Sequence, residues 1–178
     1  MKYLAIVLAA TVGLAQAACP PTINAATQSL IKQFEGFVPS PAPDPIGLPT
    51  VGYGHLCQTS SCSDAGFAFP MTEAQATTLM LRDSTTFTAC LRSAIRVALN
   101  ANQFGALSSW AFNEGCANAR SSTLVSRLNA GENPNTVAAQ ELPRWNLAGG
   151  VVQPGLVRRR AAEVSLFQTA TTAAAIPC

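Results

Sequence analysis

The chain has 178 residues, enough for one core-forming domain and short for two independent ones. Hydrophobic residues make up 48% and charged residues only 11%, which excludes a disordered chain. The formal net charge is +2 and no run of Lys and Arg interleaved with aromatics occurs, so nucleic acid is not an expected partner.

Lys2, an apolar run from Leu4 to Leu14, and Ala15-Gln16-Ala17 read as a secretory signal peptide over residues 1–17. Residues 18–178 would then be a single exported, extracellular domain. The apolar run is short for a membrane span, so no stable membrane anchoring is expected; a retained, tethering signal is the alternative. The six cysteines (Cys19, Cys57, Cys62, Cys90, Cys116 and Cys178) all follow the signal, and an even count in an exported chain predicts three disulfides. Fifteen connectivities are open. The expected one joins Cys57 to Cys62 in a local loop, Cys19 to Cys178 at the termini, and Cys90 to Cys116 between two helices. With one histidine, His55, and no C-x-x-C pair, no metal or cofactor is expected.

The first element is a helix from Asn24 to Glu35, with Ala26, Leu30, Ile31 and Phe34 on one face. Asn24 or Thr22 caps its start and Gly36 its end. Glu35 falls in the last turn, where the negative end of the helix dipole disfavours the ionised form. Pro39, Pro41, Pro43, Pro45 and Pro49 then crowd a short stretch around Asp44. Proline lacks an amide donor, so this is a stiff loop or an irregular edge, not a central strand. Thr50 to Gly54 alternates as a half-buried strand would, and its glycines allow close backbone approach. A carboxyl on a helix end facing a carboxyl and a hydroxyl on a loop suits cleavage of a glycosidic bond. Most Glu and Asp at such a spacing are simply solvated.

Residues 37–70 form a small lobe, and 71–178, with the first helix, a larger helical one. Thr72 caps a helix running to about Arg82. Phe87, Leu91, Ala94, Ile95 and Ala98 mark another helical face. Asn102 to Glu114 carries Phe104, Leu107, Trp110 and Ala111. Ser121-Ser122-Thr123 caps a short helix with Leu124, Val125 and Leu128, ending at Gly131. Asn133-Pro134 starts one running to Leu142. Pro154 to Gln168 forms the last, and Thr169 to Pro177 reads as a frayed tail, pinned only if Cys178 is bridged. Arg158-Arg159-Arg160 is the one charge cluster. Such a run is usually a solvated helix face with Glu163 as partner. Successive helical residues diverge by about 100°, so one of the three can turn inward.

Glu35, Asp44 and Thr50, followed by Val51-Gly52-Tyr53-Gly54-His55, resemble the catalytic segment of the phage-type lysozymes of glycoside hydrolase family 24. The resemblance continues through Trp110 to Gly115, Arg120 to Leu124, Pro143-Arg144-Trp145 and Pro154 to Glu163, and is similar to the lambdoid-phage branch. It covers most of residues 25–168. One departure is Asp44-Pro45-Ile46-Gly47, where the family has a less proline-rich loop with a glycine-bearing turn after the Asp. The resemblance implies an α+β, two-lobed lysozyme-like fold with the active site in the cleft between the lobes. It implies hydrolysis of the β-1,4 bond from N-acetylmuramic acid to N-acetylglucosamine in bacterial peptidoglycan, with inversion. Glu35 would be the general acid, and Asp44 and Thr50 would hold the attacking water. Phe112, Asn113 and Trp145 would line the cleft. Arg159 would orient Glu35, and His55 would pair with Asp83 to tie the small lobe to the next helix. An antimicrobial, defensive or lytic monomer fits this; a non-catalytic wall-binding module and a chitin-directed hydrolase are the rival readings.

Overall fold

A computed structural model describes residues 23–44 and 47–176. The first helix, α1 (Ala25–Glu35), is set by its two ends. Asn24 Oδ1 accepts from the Thr27 amide at 2.9 Å, and Asn24 Nδ2 donates to Asn102 Oδ1 at 2.8 Å. The cap therefore also ties the helix to the large lobe. Gly36, at φ +72°, closes the C-terminus with its amide on the Lys32 carbonyl. Thr27, Leu30 and Ile31 are the buried stripe. Ala26, expected on that face, is exposed.

Three short antiparallel strands follow in the order β1 (Val38–Pro43), β2 (Pro49–Gly52) and β3 (His55–Leu56). The proline-rich segment is thus a strand, but an edge one. Its pairing shifts register between Val38↔Gly52 and Ala42↔Thr50, as a chain short of amide donors requires. Val51 and Tyr53 drop into a small core with Ile23, Ile31, Met71, Leu79 and Met80, and the Cys57–Cys62 disulfide closes its far side.

Helix α2 (Glu73–Ala94) opens with a capping box in which Thr72 and Gln75 satisfy each other's backbone amides. Two helical faces were expected here. The structure has one continuous 22-residue helix, because nothing between Arg82 and Phe87 breaks it; Ala98 lies beyond its end. At roughly 1.5 Å per residue it spans both lobes, giving Leu79 and Met80 to the small core and Leu91 to the large one.

The large lobe is built around α3 (Ala101–Glu114), buried throughout from Phe104 to Ala111. Gly105 is where α1 rests on α3: a Cβ there would lie 1.8 Å from Thr27 Oγ1. A short α4 (Cys116–Ser121), not anticipated, is tied to α2 by Cys90–Cys116. Then come α5 (Thr123–Asn129), capped by Ser122, and α6 (Pro134–Glu141), capped by Asn133. Gly149 and Gly150, both at positive φ, turn a hairpin of β5 (Leu147–Ala148) and β6 (Val151–Val152) before α7 (Pro154–Gln168). Leu107, Trp110, Leu124, Leu128, Leu142 and Phe167 fill the core between these helices.

As far as Ile176 the tail is ordered against the large lobe. Residues Ala174–Ile176 form β7, which pairs with β4 (Leu99–Asn100), and Ala175 and Ile176 are buried. Arg92 Nη1 holds the Ala175 carbonyl at 2.9 Å. The expected signal segment and the Cys19–Cys178 pair lie outside the described residues. No helix among those described is long and apolar enough to cross a membrane.

Candidate active site

Glu35, Asp44 and Thr50 all line one cleft of about 590 Å³, together with Gly54, Phe112 and Asn113. Glu35 is the last residue of α1, Asp44 follows β1, Thr50 lies on the central strand β2, Gly54 in the turn between β2 and β3, and Phe112 and Asn113 near the end of α3. The acidic groups that the sequence singles out thus face a common groove.

The Glu35 carboxyl is fixed from two sides. Arg159 Nη1 donates to Glu35 Oε1 at 2.7 Å. On the other side the Gly54 backbone comes so close that an added Cβ would sit 2.9 Å from Glu35 Oε2 and 3.1 Å from its Cδ. Gly54 has φ +82°, so both backbone and space call for glycine. Arg159 is itself held by Glu163 Oε1 at 3.2 Å and the Ser109 carbonyl at 3.2 Å.

The arginine run departs from a solvated face. Arg159 is 4% exposed and Arg160 fully buried, leaving Arg158 outside. Arg160 donates to Asn113 Oδ1 and lies 3.6 Å from Glu114 Oε1. Its Nε approaches Glu163 Oε2 at 3.2 Å, out of line for a hydrogen bond, so the two attract as charges. Ser109 Oγ donates to Glu163 Oε1 at 2.8 Å. Burial pushes the Glu163 and Glu114 carboxyls above the usual carboxylate range, against the pull of the two arginines. Burial likewise lowers the Arg160 guanidinium, opposed chiefly by Glu163. Sequence marks Glu163 only as a surface partner, and nothing in the sequence marks Ser109.

Asp44 folds its turn around itself. Its Oδ1 accepts from the Leu48 amide at 2.8 Å, its carbonyl accepts from Gly47 at 2.9 Å, and its own amide donates to the Leu48 carbonyl at 2.8 Å. Gly47 at φ +88° supplies the left-handed residue of this turn, three positions after the Asp. Thr50 Oγ1 donates to the Ala42 carbonyl at 3.3 Å, which leaves the oxygen an acceptor toward the cleft.

His55 sits between two carboxylates, Nδ1 2.8 Å from Asp83 Oδ2 and Nε2 2.9 Å from Asp64 Oδ2. Asp64 is the partner that the sequence did not reveal. Burial opposes its ionisation, but hydrogen bonds from His55 and the Gln58 amide win and hold its carboxyl below the usual value. His55, Cys62 and Asp64 bring their ligand atoms within 4.8 Å of one another, but the Cys62 sulfur is committed to Cys57, so the group does not supply a ligand set.

Phe112 lines the cleft and rests on Phe87 at 5.4 Å. Trp145 does not line it. Its ring packs edge-on against the buried Trp110 at 5.3 Å, on the large-lobe core. A second pocket of about 540 Å³, lined by Phe34, Gln153, Leu156 and Arg158, meets the cleft at Glu35 and Asn113.

The sequence profile of a family described as phage lysozyme matches residues 32–163. The endolysin of Bacillus phage PZA is 38% identical over 156 residues, 84% of this chain and 56% of that protein. The endolysin of Bacillus phage B103 is 37% identical over 83% of this chain and 54% of its own length. The chain thus spans about half the length of these two relatives. The SAR-endolysin of bacteriophage PS119 is 35% identical over 73% of this chain and 74% of its own length. Among solved structures, the muramidase domain of SpmX from Asticaccaulis excentricus aligns with TM-score 0.72 and 33% identity, over 83% of this chain and 98% of that one. A variant of P22 lysozyme aligns with TM-score 0.71 and 29% identity, over 83% and 99%.

Proposed function

The chain belongs to the phage lysozyme family, and on that premise we propose that it hydrolyses the β-1,4 bond between N-acetylmuramic acid and N-acetylglucosamine in bacterial peptidoglycan. The observation that carries the reading is the shared cleft: two carboxyl groups and a hydroxyl from separate elements line it, and one of those carboxyls is gripped by a buried arginine.

Glu35 protonates the bridging oxygen as the glycosidic bond breaks. Asp44 and Thr50 hold a water on the opposite face of the sugar ring, Asp44 taking its proton as it attacks, which inverts the anomeric carbon. The turn that fixes Asp44 through the Leu48 amide keeps this base in one position, and position contributes much of the rate. Phe112 offers an apolar face to the sugar and Asn113 a polar edge to its acetamido group. Arg159 orients Glu35. His55, with Asp83 and Asp64, fastens the sheet to α2 and takes no part in proton transfer. No step of this scheme calls on a metal or cofactor.

We further propose that residues 1–17 are an export signal and 18–178 a monomeric, secreted wall-lytic domain with an antimicrobial or defensive role. N-terminal sequencing of exported protein starting at Ala18 supports export, and a start at Met1 removes it.

The test of the enzymatic reading is clearing of bacterial wall suspensions by the wild type beside Glu35→Gln, with analysis of the new reducing ends. The expectation is muramic acid at those ends and a loss of about 10²–10⁴-fold in the variant, the usual weight of a general acid. Equal clearing by a folded Glu35→Gln protein refutes the assignment. Cleavage of chitin oligomers in place of peptidoglycan moves the substrate.

A further inference from the structure

Two of the pockets that adjoin the cleft differ in charge. Among the described residues the cleft itself is lined by Glu35 and Asp44 and by no arginine or lysine. The pocket that meets it at Gly54, Leu56 and Phe112 adds a third carboxylate, Asp83, beside His55. The pocket of about 540 Å³ that meets it at Glu35 and Asn113 has the opposite balance, with Arg158 and Arg159 against Glu35 alone. That balance is positive whether or not Glu35 holds a proton. Arg159 is committed to Glu35, Glu163 and the Ser109 carbonyl. Arg158, one residue earlier on α7, is exposed, and its guanidinium has no hydrogen-bond or ion-pair partner among the described residues. Phe34 and Leu156 give the same pocket an apolar wall, and Gln33 and Gln153 give it neutral amides.

The wall polymer has a matching feature. Of its two alternating sugars only muramic acid carries an acid, a lactyl ether whose carboxyl is either free or joined to a stem peptide with carboxylates of its own. Such a group is repelled from a groove that holds Asp44 and attracted to an unpaired guanidinium beside it. We propose that the pocket next to Glu35 is a subsite for the carboxylate-bearing substituent of muramic acid, with Arg158 as the residue that reads it. A guanidinium offers a carboxylate two parallel donors, which fixes orientation as well as charge. Phe34 and Leu156 cover the apolar atoms of the substituent, and Gln33 and Gln153 bond its amides. The inference rests on the reading of the chain as a muramidase. It makes Arg158 a specificity residue, because the sugars of chitin bear no acid for it to meet.

The test uses soluble glycan strands in three forms. One keeps its stem peptides, one has lost them to an amidase and bears the free lactyl carboxylate, and one is stripped with that carboxyl converted to a neutral methylamide. Binding is measured in Glu35→Gln, which leaves strands uncut, with and without Arg158→Gln. Initial rates are measured in the wild type beside Arg158→Gln alone. On strands that carry the carboxylate, Arg158→Gln is expected to weaken binding and raise KM by about 3–10-fold, the weight of a charge-assisted hydrogen bond at a partly solvated site. With the contact alike in ground and transition states, kcat stays near the wild-type value. On the methylamide form the two proteins behave alike. Arg96→Gln, which removes one exposed charge elsewhere, leaves all three forms unaffected. A penalty confined to stem-bearing strands assigns the stem carboxylate, and one that persists on stripped strands assigns the lactyl carboxylate. Arg158→Gln that binds every form as well as its parent overturns the inference. So does an equal loss on the methylamide form, or an equal loss in Arg96→Gln. If the wild type cleaves none of the strands, the hydrolase reading fails, while the binding comparison still decides the subsite.

Discussion

Gly54→Ala separates catalysis from stability by a single methyl group. Two costs follow from the structure. The backbone at φ +82° disfavours any L side chain by about 1–2 kcal/mol. For a chain of this length that lowers the melting temperature by about 2–8 °C, so the protein stays folded. The second cost falls on the acid. The new methyl carbon would lie 2.9 Å from Glu35 Oε2 and 3.1 Å from its Cδ, so the carboxyl must move by several tenths of an ångström or leave Arg159. A displacement approaching 1 Å in a catalytic group costs on the order of 100-fold in rate. Gly52→Ala is the matched control. Its φ is +68°, so the backbone penalty is alike, but its methyl would meet Met71 Sδ, Ala76 and Leu79 at ordinary contact distances of 3.4–3.6 Å, away from the cleft acid. The assay pairs thermal melts with initial rates of wall clearing. Similar melting shifts are expected, with roughly 100-fold slower clearing for Gly54→Ala alone. Equal rates in the two variants would refute the claim that Gly54 sets the position of Glu35.

Gly105→Ala should destabilise by about 3 kcal/mol, the upper end for overpacking, seen as a drop in denaturant midpoint, because the new methyl would lie 1.8 Å from Thr27 Oγ1 and α1 must shift against α3. Asp64, held below its ordinary carboxylate value, adds stability that is present near neutrality and lost as pH falls below that ordinary value, about 3.8, and through the lower folded one. Asp64→Asn should therefore narrow the gap in melting temperature between pH 7 and pH 3. A variant with an unchanged pH dependence counts against that pairing. Peptide mapping under non-reducing conditions is expected to link Cys19 to Cys178, the two cysteines left once Cys57–Cys62 and Cys90–Cys116 have formed. Any other partner for Cys19 removes the expectation.

What the sequence reveals follows from how local the deciding interaction is. Asn24, Thr72, Ser122 and Asn133 cap within three residues of themselves, so their helices were readable from neighbouring letters. Glu35, Asp44 and Thr50 were legible because their spacing follows a family pattern, and all three line the cleft. The break expected near Arg82 came from polar Ser84-Thr85-Thr86, which interrupt the apolar stripe without interrupting the helix. The tail failed for a different reason: Ala174 to Ile176 has no period of its own and takes its conformation from β4, some seventy residues earlier. Trp145 carries the letter of a sugar-stacking residue, and only the position of Trp110 decides that it packs inward. Three consecutive arginines look alike on paper. Which two turn in depends on Glu35, Glu163 and Glu114 arriving from three helices.

The sewing of β7 onto β4, beside the residues that lead into α1, bears on connectivity itself. A short spacer bridging these adjacent segments, with the backbone reopened at the exposed Gly131 between α5 and α6, would yield a circularly permuted polypeptide with every helix and strand intact. In such a rearranged order the acid-bearing helix would be made after α6 and α7, yet the same groove would assemble.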